Sequence, residues 1–217
     1  MEYATYERLE NDLTPSIVRV GEKSTPVWRQ NRWENGEFAV YRANGCGHCC
    51  TAMAARMNGV KDIDPQKEFE LCRKLWGPPN EKQNNAITIC GIDKILTELN
   101  VPHKSYGVFD KDDALENIVS ALSEGKQVIF NSVPTEENPY PKNPFSKGGH
   151  YVMAVGFAEN GRIMVANSSE RWTEEGVQFV EPETIKNALF LGGEPMWELT
   201  WGGAEYLERG RGYIIVG

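Results

Sequence analysis

The stretch "GCGHCCTAMAARMNG", residues 45–59, places a cysteine between two glycines at the start of a run rich in alanine and methionine. This run favours an α-helix over residues 47–59, which Asn58 and Gly59 end. A cysteine just before a helix feels the positive end of the helix dipole, which favours the thiolate over the thiol. Cys46 is therefore the first candidate for a nucleophile, and its flanking glycines leave space beside the sulfur.

The composition of the chain is that of an acidic globular protein. Its 217 residues are 40% hydrophobic and 25% charged, and the formal net charge is -8. Because phosphate binding needs a basic face and no Lys/Arg cluster is present, we expect no nucleic-acid partner. No segment approaches the roughly 20 apolar residues of a membrane span, and the N-terminus lacks the pattern of a secretory signal. We expect a cytoplasmic protein, or a secreted one whose signal peptide has been removed.

Hydrophobic patterning predicts helices mainly in the first part of the chain and strands mainly in the second. Apolar residues at helical spacing predict helices, at residues 47–59, 64–76, 91–100, 112–125 and 182–190. β-Rich runs predict strands, at residues 16–20, 37–42, 127–133, 150–157, 162–168 and 211–217. The polar loops 77–86 and 134–149 are expected to border a functional cleft.

These elements predict an α+β fold, in which the cysteine-bearing helix packs on a mostly antiparallel sheet. The chain is long enough for one well-buried domain over residues 1–217. Within this domain we expect an N-terminal arm (1–26), a mainly helical half (27–125) and a mainly sheet half (126–217).

The cysteine cluster allows two interpretations, a metal site or a nucleophile. Cys46, His48, Cys49 and Cys50 offer four donors, and Cys-x-x-Cys is a common zinc half-site. A structural zinc site normally joins two such half-sites, and the other two cysteines of the chain stand alone. We therefore expect no metal and no other cofactor, and we assign Cys49 and Cys50 to packing on the inner side of the helix.

A nucleophilic cysteine needs a base, and the chain offers three histidines. His48 is too close to Cys46 along the helix to face it, and His103 lies in a short connection. His150 stands at the first position of a strongly apolar strand, directly after a glycine pair. The hairpin turn predicted at 158–161 brings the next strand back, so that Asn167 lies beside His150. His150 is thus the candidate base, and Asn167 is the candidate residue that orients it.

Several motifs in a consistent order resemble a known family. The segments are "WRQNRW" (28–33), the Gly-Cys-Gly motif that opens a helix, "ALSEGKQVIF" (121–130), "GGHYVMAVGF" (148–157) and "NGRIMVANSS" (160–169). Together they resemble the papain-like cysteine peptidases grouped with the bacteriocin double-glycine leader peptidases, most closely the stand-alone peptidase-like branch. The resemblance implies a papain-like fold with Cys46 as nucleophile, His150 as base, Asn167 as the orienting residue and Gln30 as a donor to the oxyanion.

The chain departs from the pattern of this family at three positions. Gln30 lies further from Cys46 than the corresponding glutamine of papain-like enzymes, at whose usual place Val40 stands. His48 occupies a position where the family often has proline, and no role follows for it from the sequence. Asn167 stands where many members have an aspartate. Papain itself also has an asparagine at this place. We also expect Trp172 to cover the Asn–His pair.

The predicted activity is hydrolysis of a peptide or other amide through a thioester acyl-enzyme. Two alternatives stay open. The same triad serves acyl transfer to an amine or thiol in phytochelatin synthases, which resemble this family. The chain could also be a non-catalytic binding module that keeps the fold.

Overall fold

The structure, a computed structural model, describes residues 2–78, 87–189, 191 and 212–217. Its helices are α1 (Glu37–Tyr41), α2 (Cys46–Met57), α3 (Pro65–Trp76), α4 (Ile89–Glu98), α5 (Lys111–Ser123) and α6 (Pro182–Ala188). Its strands are β1 (Ala4–Arg8), β2 (Ser16–Val20), β3 (Lys23–Val27), β4 (His103–Gly107), β5 (Gln127–Ser132), β6 (His150–Phe157), β7 (Ile163–Ala166), β8 (Val177–Val180) and β9 (Gly212–Val216). Within this described part, every helix is too short or too polar to cross a membrane.

The strands form two antiparallel sheets. A small sheet has the order β1-β2-β3, and a large one has the order β4-β9-β5-β6-β7-β8. The predicted α+β arrangement and its predominantly antiparallel sheet are confirmed. All five predicted helices are also confirmed to within a turn at each end.

The large sheet carries a hydrophobic core on each face. Along β6, Tyr151, Met153 and Val155 pack into the core that contains α2, α3, α4 and the small sheet. The intervening Val152 and Ala154 pack into the core beneath α5 and α6. Because side chains alternate between the faces of a strand, an uninterrupted apolar run such as β6 requires cover on both sides.

Helix α2 lies at the centre of the first core. Its residues from Gly47 to Ala55 are all buried, and it contacts β3, β6, α3 and α4. A helix with so many buried residues belongs in the interior, and its small residues permit close approach of the neighbouring elements. The burial of α2 fixes Cys46 at its first turn.

The predicted strand at 37–42 is wrong, since residues 37–41 form helix α1. The alternating apolar pattern there has another cause: Phe38 is fully buried, whereas Val40 is 77% exposed. The main-chain N–H of Phe38 donates to Oε1 of Gln66, which lies on α3 (2.9 Å). This tertiary contact overrides the local preference for a strand.

The sequence pattern does not predict β1, β3, β4 and β8, and each of these is an edge strand of its sheet. Four of the five residues of β1 are exposed, and β3 contains Pro26. Proline is tolerated at a sheet edge because no neighbour needs its missing N–H. The expected arm at 1–26 therefore contributes most of the small sheet, and the loop expected at 77–86 lies outside the described residues from position 79 onward.

A buried polar cluster joins α2 to α3. Nδ1 of His48 lies 2.5 Å from Oε2 of Glu68, and both side chains are fully buried. Sγ of Cys72 lies 3.4 Å from Oε1 of Glu68, and the ring of Phe69 contacts the imidazole edge-on. The structure thus gives His48 a place that its sequence did not predict, as half of a buried pair that fixes α2 against α3.

We expect Glu68→Ala to lower the free energy of unfolding by about 3–5 kcal/mol, because the buried imidazole loses its carboxylate. Urea-induced unfolding measures the effect. The control Asp62→Ala removes the exposed carboxylate that pairs with Lys67 on the same helix, and we expect it to leave the stability unchanged. Equal stability of Glu68→Ala and wild type would contradict a stabilising role for the pair.

Candidate active site

Cys46 is the first residue of α2, at a helix end without a side-chain cap. The N-cap residue Gly45 has no side chain that could bind the N–H groups of the first turn, and the N–H of Gly47 stabilises the Cys46 thiolate instead. The flanking glycines do not leave the open space that the sequence led us to expect, but allow other residues to pack closely against them. A Cβ on Gly45 would lie 2.5 Å from Cζ of Phe38, and one on Gly47 would lie 2.8 Å from Cγ1 of Ile87.

The Cys46 thiol and the His150 imidazole shift the pKa of each other. Burial raises the pKa of Cys46, but the charge and hydrogen bond of His150, with the N–H groups of Tyr151 and Gly47, outweigh it, so the pKa falls below its ordinary 9.0. Burial lowers the pKa of His150, but Cys46 and the hydrogen bond to Asn167 outweigh it, so the pKa rises above 6.5. Both shifts favour a thiolate paired with an imidazolium.

Asn167 holds the imidazole from its other side. Oδ1 of Asn167 lies 2.8 Å from Nε2 of His150, which leaves Nδ1 for the thiol of Cys46. The amide nitrogen of Asn167 donates to the carbonyl of Phe145 (3.2 Å) and to Oε1 of Gln178 (2.9 Å). These two bonds fix which atom of the amide faces the histidine, because only the oxygen can then accept from the ring N–H.

Gln178 is a site residue that the sequence analysis missed. Its side chain accepts from Asn167 and donates to the carbonyl of Pro144 (2.9 Å). It lies on the edge strand β8, where Gln178 is paired with Val165 of β7. In the sequence, a glutamine between Val177 and Phe179 is typical of an exposed position on a strand. The contact of Gln178 with Asn167 follows only from the pairing of β8 with β7.

Gln30 ties the segment before the nucleophile to the end of β7. It begins a 3₁₀ turn, and its Nε2 donates to the carbonyls of Arg42 (3.3 Å) and Ala43 (3.2 Å). Its Oε1 accepts from Oγ of Ser168 (2.9 Å). Since the amide hydrogens are directed at these two carbonyls, the expected role of Gln30 as an oxyanion donor stays a prediction.

A cavity of about 240 Å³ opens beside His150, and we call it the catalytic cavity. Gln30, Trp172 and the glycine pair before His150 line it, so the predicted loop 134–149 does border the candidate site. The ring of Trp172 packs obliquely against Tyr140 of this loop, with centroids 5.1 Å apart. Trp172 thus forms a wall of the catalytic cavity.

The remaining cysteines of the cluster lie away from any reactive environment. Cys49 and Cys50 are fully buried, and burial raises the pKa of each thiol well above 9.0. The alternative zinc site of Cys46, His48, Cys49 and Cys50 does not form. Across the described ranges, the metal-type donor atoms found within 4.8 Å of one another belong to His48, Glu68 and Cys72.

Comparisons with known proteins find a matching family and a structure of similar fold. The Peptidase_C39 like family matches residues 23–189, which is well over half of the chain. The crystal structure of a candidate C39-like peptidase from Bacillus anthracis has a similar fold, with a TM-score of 0.50 and 11% sequence identity. The similarity covers 80% of this chain and 88% of that one. No curated protein matches the sequence. The predicted papain-like fold is confirmed.

We expect iodoacetamide at neutral pH to alkylate Cys46 faster than Cys49, Cys50 or Cys72, because only the thiolate reacts and, of these four, Cys46 alone has a lowered pKa. His150→Ala raises the pKa of Cys46 and moves the rate profile to higher pH. Peptide mass spectrometry over a pH series measures both effects.

The matched control is His103→Ala, which removes a histidine of β4 whose Nδ1 contacts the carbonyl of Val101. This variant should keep the wild-type pH profile. Equal labelling of Cys46 and Cys50, or an unchanged profile in His150→Ala, would contradict the proposed ion pair.

Proposed function

The chain belongs to the Peptidase_C39 like family, and on this premise we propose that it is a cysteine peptidase that uses Cys46, His150 and Asn167. The observation that carries this proposal is the hydrogen bond between Asn167 and His150, together with the opposite pKa shifts by which His150 and Cys46 favour the charged form of each other. A polarised thiol, a positioned base and an orienting acceptor are the parts that cysteine-dependent acyl transfer requires.

In the first half of the reaction, the Cys46 thiolate attacks the carbonyl carbon of the scissile amide. A carbon–sulfur bond forms, and the carbonyl oxygen becomes an oxyanion. The main-chain N–H of Cys46, at the uncapped start of α2, is the first donor to this oxyanion. We assign the second donor to Gln30, which lines the catalytic cavity and would have to exchange a carbonyl contact for the oxyanion.

In the second half, protonated His150 donates its proton to the leaving nitrogen, and the carbon–nitrogen bond breaks. The thioester that remains is hydrolysed by water, whose proton His150 accepts, and the thiolate leaves as the carboxylic acid forms. Asn167 keeps the imidazole in one tautomer and orientation throughout, because its oxygen accepts from Nε2. The amide cannot neutralise the imidazolium as a carboxylate would, so its contribution is mainly positional.

We expect Cys46→Ala to abolish peptide cleavage without unfolding the protein, since the change is small and Cys46 is only partly buried at the first turn of α2. Cys50→Ala, a matched change on the same helix, should retain cleavage. Hydrolysis in heavy-oxygen water, followed by mass spectrometry of the products, should place the label in the new carboxyl group. Turnover by Cys46→Ala would refute the proposal.

We expect Gln30→Glu to lower kcat by about one hundred- to one thousand-fold with little change in KM, if Gln30 donates to the oxyanion. The glutamate keeps the acceptor for Ser168 but loses the amide donor. The alkylation rate of Cys46 provides the internal control, because alkylation develops no oxyanion. A wild-type kcat in Gln30→Glu would exclude this role.

A further inference from the structure

A second, larger groove begins where the catalytic cavity ends. Its volume is about 1070 Å³, against about 240 Å³ for the catalytic cavity, and Arg171 and Trp172 line both. We call it the extension groove. Because they share these two residues, the extension groove and the catalytic cavity are neighbours, and we expect a bound polypeptide to extend from one into the other.

The extension groove is walled by a segment that the family match does not include. Leu9, Glu10 and Asp12 follow β1 and form one wall, whereas the match begins at residue 23. The segment 170–174, which follows Asn167, forms another wall. One wall of the extension groove thus lies outside the matched region, and the rest lies inside it.

Hydrogen bonds hold the two walls in place. Tyr6 donates to Oε2 of Glu175 (2.7 Å), and Arg8 pairs with Oε1 of the same residue (3.1 Å). Beneath them, the buried guanidinium of Arg29 donates to the carbonyls of Thr173 (2.6 Å) and Glu174. A preformed groove avoids much of the ordering cost of binding an extended segment.

The mechanism decides which part of a substrate reaches this groove. The extension groove joins the catalytic cavity, where His150 lines the wall, and His150 protonates the leaving nitrogen. The substrate on that side of the scissile bond is the leaving segment, C-terminal to the cleaved amide. The groove therefore suits a polypeptide rather than a small amide.

Among the described residues, the exposed charges of the extension groove without an ion-pair partner are of opposite sign at two places. Arg32 and Glu170 neutralise each other (2.5 Å), but the ion pairs found among the described residues include no carboxylate for the exposed Arg171 at the junction. They likewise include no cation for Glu10 and Asp12, which line the extension groove but not the catalytic cavity. A ligand that matches this arrangement carries an acidic group near the junction and a basic group farther along.

We propose that the extension groove binds the leaving segment of a polypeptide substrate, with an acidic residue held by Arg171 and a basic residue farther on held by Glu10 and Asp12. This inference rests on the proposed function for the direction of the chain. The charges belong to the groove and not to the reaction. Peptide binding to an inactive variant therefore tests the charge preference without cleavage.

The test uses Cys46→Ala, which binds without cleaving, and three fluorescein-labelled peptides of equal length. One contains Glu-Ala-Ala-Lys in an alanine–serine background, one contains Lys-Ala-Ala-Glu, and one has glutamine at both charged positions. In fluorescence anisotropy at low salt, we expect the Glu-Ala-Ala-Lys peptide to bind most tightly of the three. Its affinity should exceed that of the Lys-Ala-Ala-Glu peptide by about fivefold. Adding Arg171→Glu should remove or reverse this preference, whereas Arg162→Glu, on the distant β6–β7 hairpin, should leave it intact.

Equal binding of the three peptides, or an undiminished preference after Arg171→Glu, would overturn the groove assignment. The proposed function fails by a separate result, namely no acylation of Cys46 and no cleavage by the wild-type protein. The wild-type protein should also cleave peptides with the first charge order faster than blocked single-residue amides. Equal kcat/KM for these two substrates would count against a polypeptide in the groove.

Discussion

The candidate site depends on the packing of the α2 N-terminus against the first residues of β6. This junction brings together a residue at position 46 and one at position 150, and it exists because α2 is buried on all sides. The close contacts of Gly45 with Phe38 and of Gly47 with Ile87 leave no room for a side chain at either glycine. Tight packing thus sets the separation of thiol and imidazole.

Hydrogen bonds also hold the residues of the candidate site in position. Asn167 is fixed by Phe145 and Gln178, and the neighbouring Ser168 is bound to Gln30. Gln30 in turn holds the carbonyls of the turn that leads into α2. Hydrogen bonds thus hold the surroundings of both the candidate base and the candidate nucleophile, where an unpaired buried group would be costly.

The interior of the fold could be predicted from the sequence, and its edges could not. Strands β2, β5, β6, β7 and β9 are the interior strands of their sheets, and their apolar runs reveal them. Edge strands bury less surface and avoid aggregation by carrying polar residues, so their pattern resembles that of loops. For the same reason the sequence does not predict the role of Gln178. It is a polar residue on an edge strand, and the pairing of that strand brings it to Asn167.

The sequence by itself determined the chemical candidates: a cysteine at a helix start, a histidine at a strand start and an asparagine one hairpin away. These follow from local rules, namely helix dipoles, apolar periodicity and turn residues. Only the tertiary structure decided the place of His48 beside Glu68, the helical form of residues 37–41 and the groove between the N-terminal segment and residues 170–174. Each of these depends on contacts between distant segments, whose free energy exceeds the local preferences that a sequence displays.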